Sequence, residues 1–312
     1  MTFDDLNSLG LQRKPFLFIS DFKAKNIKLI PLDELSSEDI EFCIDENYLK
    51  QKHDFYLEKN PLAFSEYKKK FDAVIQKIKS GETYLLNLTQ PTKVQTTLSL
   101  KEIYSCANAH YKLRYKDEFV CFSPEKFIQI EDDIIHTYPM KGTIDASFVD
   151  AKEKILNNEK EMAEHIMVVD LLRNDLSIVA TEVKVEDFRY IQTIQAGEKE
   201  LLQVSSHIVG NIGAHWHGRI GDILQSLLPA GSISGTPKKS TLNIIDSVEE
   251  YERGFFSGVF GIYDGKKFDS GVMIRFIEKT KNGYIYKSGG GITLDSDDKS
   301  EYDELLDKIY LP

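Results

Sequence analysis

The chain has 312 residues, enough for one large domain or two modest ones with a sizeable buried core. A hydrophobic content of 41%, with 18 Phe and 15 Tyr, excludes a largely disordered chain. Fifty acidic against 39 basic side chains leave a formal charge of −11, which argues against a nucleic-acid binder with its basic face. On so acidic a protein, an anionic substrate needs a metal ion or a local cluster of donors. No apolar run approaches the roughly 20 residues of a membrane helix. Met1–Gly10 carries Asp4 and Asp5 where a signal peptide has basic residues. Cys43, Cys106 and Cys121 are scattered without a CxxC, so they read as reduced packing residues in a cytoplasmic protein.

In chain order, the first 60 residues read as a small β-rich preface. Phe16–Asp21 and Ile27–Pro31 are its strands, and a polar stretch from Ser36 to Asn60 follows. After Pro61, with Ser65 as N-cap, Tyr67, Phe71, Val74, Ile75 and Ile78 recur at helical spacing until Ser80-Gly81. Thr83–Thr89, Phe119–Phe122, Lys126–Ile130 and Ile134–Tyr138 read as strands. The longest helix is predicted from near Ala151 to Asp175, and another from Pro237 to before Gly254. Phe256–Tyr263 and Phe268–Glu278 flank an Asp264-Gly265 turn. After a second turn at Asn282-Gly283, Tyr284–Leu294 reads as the last strand and Glu301–Ile309 as the last helix. Consecutive hairpins point to antiparallel sheets covered by helices, an α+β fold. Neither a Rossmann fingerprint nor a P-loop occurs.

Glu-x-x-Glu places two carboxylates on one helix face, and it occurs at Glu38/Glu41, Glu161/Glu164, Glu249/Glu252 and Glu301/Glu304. Context separates the four. Glu249/Glu252 lies among charges at a helix end and reads as a solvated face. Glu161/Glu164 borders an apolar stripe of Met162, Ile166 and Val169, with Glu161, Glu164, His165 and Val168 on the next face. Glu301/Glu304 follows Gly289-Gly290-Gly291, where missing side chains allow a ligand close to the backbone. Like charges at this spacing repel by roughly 3 kcal/mol at an effective dielectric near 20, a cost that a divalent cation between two pairs would relieve. Carboxylate oxygens suit Mg²⁺. Lys141, at a strand end in Tyr-Pro-Met-Lys-Gly-Thr, reads either as a surface charge or as a desolvated nucleophile. Glu125 in Phe-Ser-Pro-Glu is a candidate general acid. His207 in Ser-Ser-His-Ile-Val is a candidate catalyst, though such a histidine is more often a satisfied core residue.

Taken together, FSPEKF, YPMKGT, EMAEHIMVVDLLRNDL, SSHIVG, LLPAGSISGTPKKSTLNIID, GVFGIYD, VMIRF and GGGITLDSDDKSEYDELLDKI resemble the chorismate-utilising enzymes. The resemblance covers about residues 62–312. It implies two antiparallel β-sheets packed together and flanked by helices, with 62–312 as the chorismate-binding domain and 1–61 as a short segment packed on it. It implies Mg²⁺ bound directly by Glu164 and Glu304, with Glu161 and Glu301 acting through water. Arg275 and Tyr263 match residues that hold the enolpyruvyl carboxylate. Gly289, Gly291 and the Ser232–Gly235 loop match residues that line the ring, and Thr143 joins them after Lys141-Gly142.

Two positions discriminate among family members. Leu85 stands where members that add water carry a lysine, which disfavours isochorismate and salicylate synthases. Lys141 stands where aminodeoxychorismate synthases have Lys and anthranilate synthases have Ala. The function implied is that of aminodeoxychorismate synthase component I, on the route to p-aminobenzoate and folate. Lys141 would form a covalent adduct with chorismate, and Glu125 would act as acid and then base. The alternatives are anthranilate synthase component I, a dual-purpose enzyme, or a catalytically silent chorismate-binding subunit. The chain lacks the Gly-x-Cys-x-Gly nucleophile of a glutamine amidotransferase, so ammonia is expected from a separate amidotransferase subunit. A short N-terminal region without the LLES motif makes feedback inhibition by tryptophan an unexpected feature. With the chain ending at Pro312, p-aminobenzoate itself is expected to need another enzyme.

Overall fold

The helical spacing of Tyr67, Phe71, Val74 and Ile78 folds as read: the helix Phe64–Lys79 buries those four residues along one face. Its N-cap is Ala63, not Ser65, which lies in the first turn. A computed structural model describes residues 1–44, 56–196 and 199–311; part of the polar stretch after Ser36, residues 45–55, lies outside them. The described chain divides into two units. The first comprises Met1–Phe16, Lys126–Ser232 and Gly261–Ser270; the second comprises Leu17–Glu125, Ile233–Phe260 and Gly271–Pro312. Segment 1–61, expected as one β-rich piece, is thus shared between units, and it opens with an unforeseen helix, Phe3–Leu11. No described helix is long and apolar enough to cross a membrane.

In the first unit the strand Lys199–Asn211 is the spine. Thr181–Ala196 pairs along one edge of it. On the other edge Ile134–Thr137 pairs with residues 208–211 and Met140–Asp145 with residues 201–205. Lys126–Glu131 then pairs with Ile134–Thr137. All these pairings are antiparallel. The predicted helix from Ala151 is two helices, Ala151–Leu156 and Glu159–Val179, because Asn158 takes a non-helical conformation and its side chain accepts the Glu161 backbone N–H at 3.1 Å. Val169 of the expected apolar stripe is buried, whereas Met162 and Ile166 are exposed.

The second unit holds an antiparallel sheet in which Gly235–Thr236, Leu85–Thr96, Gly283–Ile292, Phe276–Thr280, Phe119–Ser123, Tyr111–Tyr115 and Ile40–Ile44 are successive neighbours. Leu57–Asn60 also pairs with Leu85–Thr96. The strand predicted to end at Thr89 runs on through Pro91 to Thr96. Its tolerance of proline has a local cause. The Asn87 and Thr89 amides point away from Gly283–Ile292, to Ser234 O and to the Glu249 carboxylate. Residue 91 faces the same way, beyond the reach of Gly235–Thr236 and short of Leu57–Asn60, so the missing N–H breaks no ladder bond. The run Phe268–Glu278 is likewise not continuous: strands Phe268–Val272 and Phe276–Thr280 are separated at Arg275, whose φ is +52°. Helix Phe64–Lys79 packs on the last helix, Asp298–Asp307, through Tyr302, whose ring centroid is 5.3 Å from that of Tyr67.

Candidate active-site residues and family membership

Lys141 owes its position to a bulge. Met140 lies opposite Ser205 and Thr143 opposite Gln203, so Lys141 and Gly142 together span Val204. Gly142 has φ +87°, where a side chain is strained, and a Cβ there would meet Glu161 Oε2 at 3.3 Å. The glycine therefore lets the bulge close on the helix Glu159–Val179. Lys141 Nζ lies 3.8 Å from Glu164 Oε2, and Lys160 Nζ lies 4.0 Å from Glu164 Oε1. The Lys141 side chain is 25% exposed. Lys141, Glu161 and Glu164 are thus brought together, with the lysine side chain mostly buried beside a carboxylate. Thr143, next along the strand, is exposed.

His207 is not with this group. On Lys199–Asn211 its neighbour Ser206 turns to the helix side, where its Oγ lies 2.7 Å from His165 Nε2, and His207 turns to the opposite face. There its Nε2 lies 3.0 Å from His136 Nδ1 and its ring stacks at 4.5 Å on Tyr138. Burial lowers the pKa of both His136 and His207. Tyr263 is enclosed by protein. It is fully buried, its hydroxyl lies 2.6 Å from His217 Nδ1 and donates to Gly265 O at 3.1 Å, and its ring packs on Phe16 and Trp216. Ser232 lies half-buried in a 3₁₀ turn, Gly231–Ile233.

Sequence reading passed over His165 as a functional candidate. It is fully buried, and its imidazole is pushed down to about 4 by burial first, then by the charges of Arg189 and Lys141. The signal was there, since His165 shares a helix face with Glu161 and Glu164. What links it to Ser206, 41 residues on, is the sheet.

In the second unit Glu125 follows the strand Phe119–Ser123, half-buried; its amide donates to Ser123 Oγ at 3.1 Å and its carbonyl accepts from Val272 N at 3.0 Å. Arg275 is half-buried, with Nε donating to Tyr310 Oη at 3.3 Å and the guanidinium 5.5 Å from that ring. Gly235, φ +137°, pairs with Leu86, and a Cβ on it would fall 2.0 Å from Leu85 O, so it serves strand contact. Gly289 is similar: a Cβ would sit 2.5 Å from Thr89 Cγ2, so its missing side chain lets the neighbouring strand approach. Gly291 lies opposite Asn87. Leu85 is buried.

Glu301 is 6% exposed and accepts from Ser296 Oγ at 2.8 Å, while Glu304 Oε1 meets Lys308 Nζ at 2.6 Å. Lys308, which the sequence reading did not single out, also donates to Gly289 O at 2.8 Å. Tyr67 is pushed up by burial and then by Glu301, Glu304 and Asp298. Among the described residues no three His, Cys, Asp or Glu side chains are gathered as a metal shell. Each pair is an all-oxygen donor set, which suits a hard cation such as Mg²⁺, and each has one carboxylate met by lysine, Glu164 by Lys141 and Lys160 and Glu304 by Lys308.

The chain is 46% identical, over 99% of its length and 95% of the relative's, to an uncharacterized PabA-like protein of Haemophilus influenzae. It is 30% identical to aminodeoxychorismate synthase component 1 of Salmonella typhimurium over 78% of this chain, and spans only 56% of that relative's length. Its fold matches the menaquinone-specific isochorismate synthase of Escherichia coli with a TM-score of 0.74, at 15% identity, over 97% of this chain and 80% of that one. Residues 30–311 match the model of the chorismate binding enzymes, and the chain belongs to that family.

Proposed function

We propose that this chain is the synthase component that converts chorismate and ammonia to 4-amino-4-deoxychorismate. The observation that carries the reading is Lys141, held on its bulge 3.8 Å from Glu164, because anthranilate-forming relatives are expected to have alanine there. Similarity to the Salmonella typhimurium protein supports the same choice, and Leu85, which has no proton-accepting group, speaks against hydration of the ring. In the proposed reaction Lys141 Nζ bonds to C2 of chorismate, the double bonds shift, and the C4 hydroxyl leaves as water with a proton from Glu125. Ammonia then bonds to C4, the double bonds shift back, and the lysine is expelled. Arg275 is assigned to the enolpyruvyl carboxylate.

Mg²⁺ is the proposed cofactor of the two glutamate pairs; when bound it would neutralise carboxylate charge and hold a substrate carboxylate. Ammonia is proposed to come from a glutamine amidotransferase partner. The test incubates the protein with chorismate, ammonium and Mg²⁺, with and without an added aminodeoxychorismate lyase. We expect p-aminobenzoate only with the lyase, dependence on Mg²⁺, and near-complete loss in Lys141→Ala. Fluorescent anthranilate as the main product, or full turnover by Lys141→Ala, would overturn the reading in favour of anthranilate synthesis or a non-covalent route.

A further inference from the structure

We propose that Ser206 and His165 are a positioning pair that holds the Lys141 bulge against the helix bearing Glu161 and Glu164. The inference rests on the amination reading for its consequence in turnover, and on geometry for the positioning itself.

Ser206 lies at the joint where the edge partner of Lys199–Asn211 changes from Ile134–Thr137 to Met140–Asp145. It is fully buried. Its amide donates to Pro139 O at 2.9 Å, fixing the backbone two residues before Lys141. Its hydroxyl accepts the Arg189 amide at 2.9 Å. The hydroxyl also shares a hydrogen bond with His165 Nε2 at 2.7 Å, on the residue after Glu164. One residue therefore joins three pieces: its backbone holds the strand leading into the bulge, and its hydroxyl holds the opposite strand and the acidic helix.

Arg189 closes the ring. Its guanidinium donates to Leu156 O at 2.8 Å and Ile155 O at 3.2 Å, and the Ile155 side chain covers Gly142, 3.5 Å from where a Cβ would be. The role assigned to this ring is to position, not to contact substrate. Its effect is on the separation of Lys141 from Glu164, and in enzymes an error of about 1 Å in such placement costs on the order of 100-fold in rate.

Two measurements test this. In the coupled amination assay, Ser206→Ala and His165→Asn are expected to lower kcat by about 10- to 100-fold with chorismate KM within about twofold. His165→Gln, whose amide reaches the place of Nε2, recovers most of the loss; the shorter Asn reaches only Nδ1. Independently of any substrate, the rate at which an N-hydroxysuccinimide ester of acetate acylates Lys141, read by peptide mass spectrometry against Lys152 and Lys154, changes in Ser206→Ala and His165→Asn and returns in His165→Gln. If Ser206→Ala does not fold, the Asn-against-Gln comparison decides alone. Equal behaviour of Asn and Gln, a KM effect without a kcat effect, or unchanged Lys141 acylation would overturn the proposal. A wild type that makes no aminodeoxychorismate, but whose Lys141 acylation responds as described, would reject the amination reading and leave the positioning pair standing.

Discussion

Glu249 sits in Glu-Glu-Tyr-Glu-Arg, a run that reads as a solvated helix end, yet it is only 2% exposed. Arg253, one turn on, supplies Nε at 2.8 Å and Nη2 at 2.6 Å, and Thr89 adds its amide and hydroxyl, both at 2.8 Å. Arg253 also donates to Ile233 O and Asn87 O, so its five donors are largely spent inside the second unit. A sequence shows the i, i+4 acid–base spacing but not which of four similar glutamate pairs is drawn inward, because that depends on Thr89, 160 residues away. Removing one partner leaves the other charged and buried. Arg253→Ala should therefore lose about 3–5 kcal/mol of stability, read from urea unfolding. A change under 1 kcal/mol would mean the pair is no more than a surface contact. The surroundings of Tyr263 and His207 likewise come from residues distant in sequence, Trp216 and His217 for the first and His136 and Tyr138 for the second.

At the scale of elements, apolar periodicity revealed the helices Phe64–Lys79 and Lys238–Val248 and most short strands. It missed the hairpin of Thr181–Ala196 and Lys199–Asn211, whose mixed polar and apolar run has no Pro and only Gly197 and Gly210 as punctuation, and it missed Met140–Asp145, whose bulge breaks the alternation. It also merged two helices across Asn157-Asn158. That break matters to the site, because it sets the first turn of the helix carrying Glu161 and Glu164. The Asn158 side chain holds the Glu161 amide, and acidic Glu159 and Glu161 sit at the positive end of the helix dipole. Asn158→Ala should cost about 1 kcal/mol of thermal stability, and Asn158→Asp should retain it. Calorimetry on the three proteins gives the comparison. Equal melting for Ala and Asp would show that the cap contributes nothing.

The family fold was legible in the sequence because it rests on contiguous motifs. The division into units was not, because each unit is assembled from three separate stretches of chain. Within the first unit a relay ties Arg13 to the turn at Gly265: Arg13 Nη1 donates to His217 Nε2, His217 Nδ1–H donates to Tyr263, and Tyr263 donates to Gly265 O. The relay needs a neutral imidazole, and burial first, then Arg13, pushes His217 down to about 4. Unfolded, the same histidine titrates near 6.5. Between these values the unfolded chain binds a proton that the folded one refuses, so stability is full above about pH 6.5, falls as pH drops toward 4, and levels off below. The loss from this group amounts to about 3 kcal/mol. The single tryptophan, Trp216, lies against His217 with ring centroids 3.8 Å apart, so its fluorescence reports on this place. Urea midpoints followed by that fluorescence should fall from pH 7 to pH 4.5 in the wild type and fall distinctly less in His217→Gln, whose amide does not titrate. Parallel curves for the two proteins would show that the acid sensitivity of the first unit originates elsewhere than in this relay.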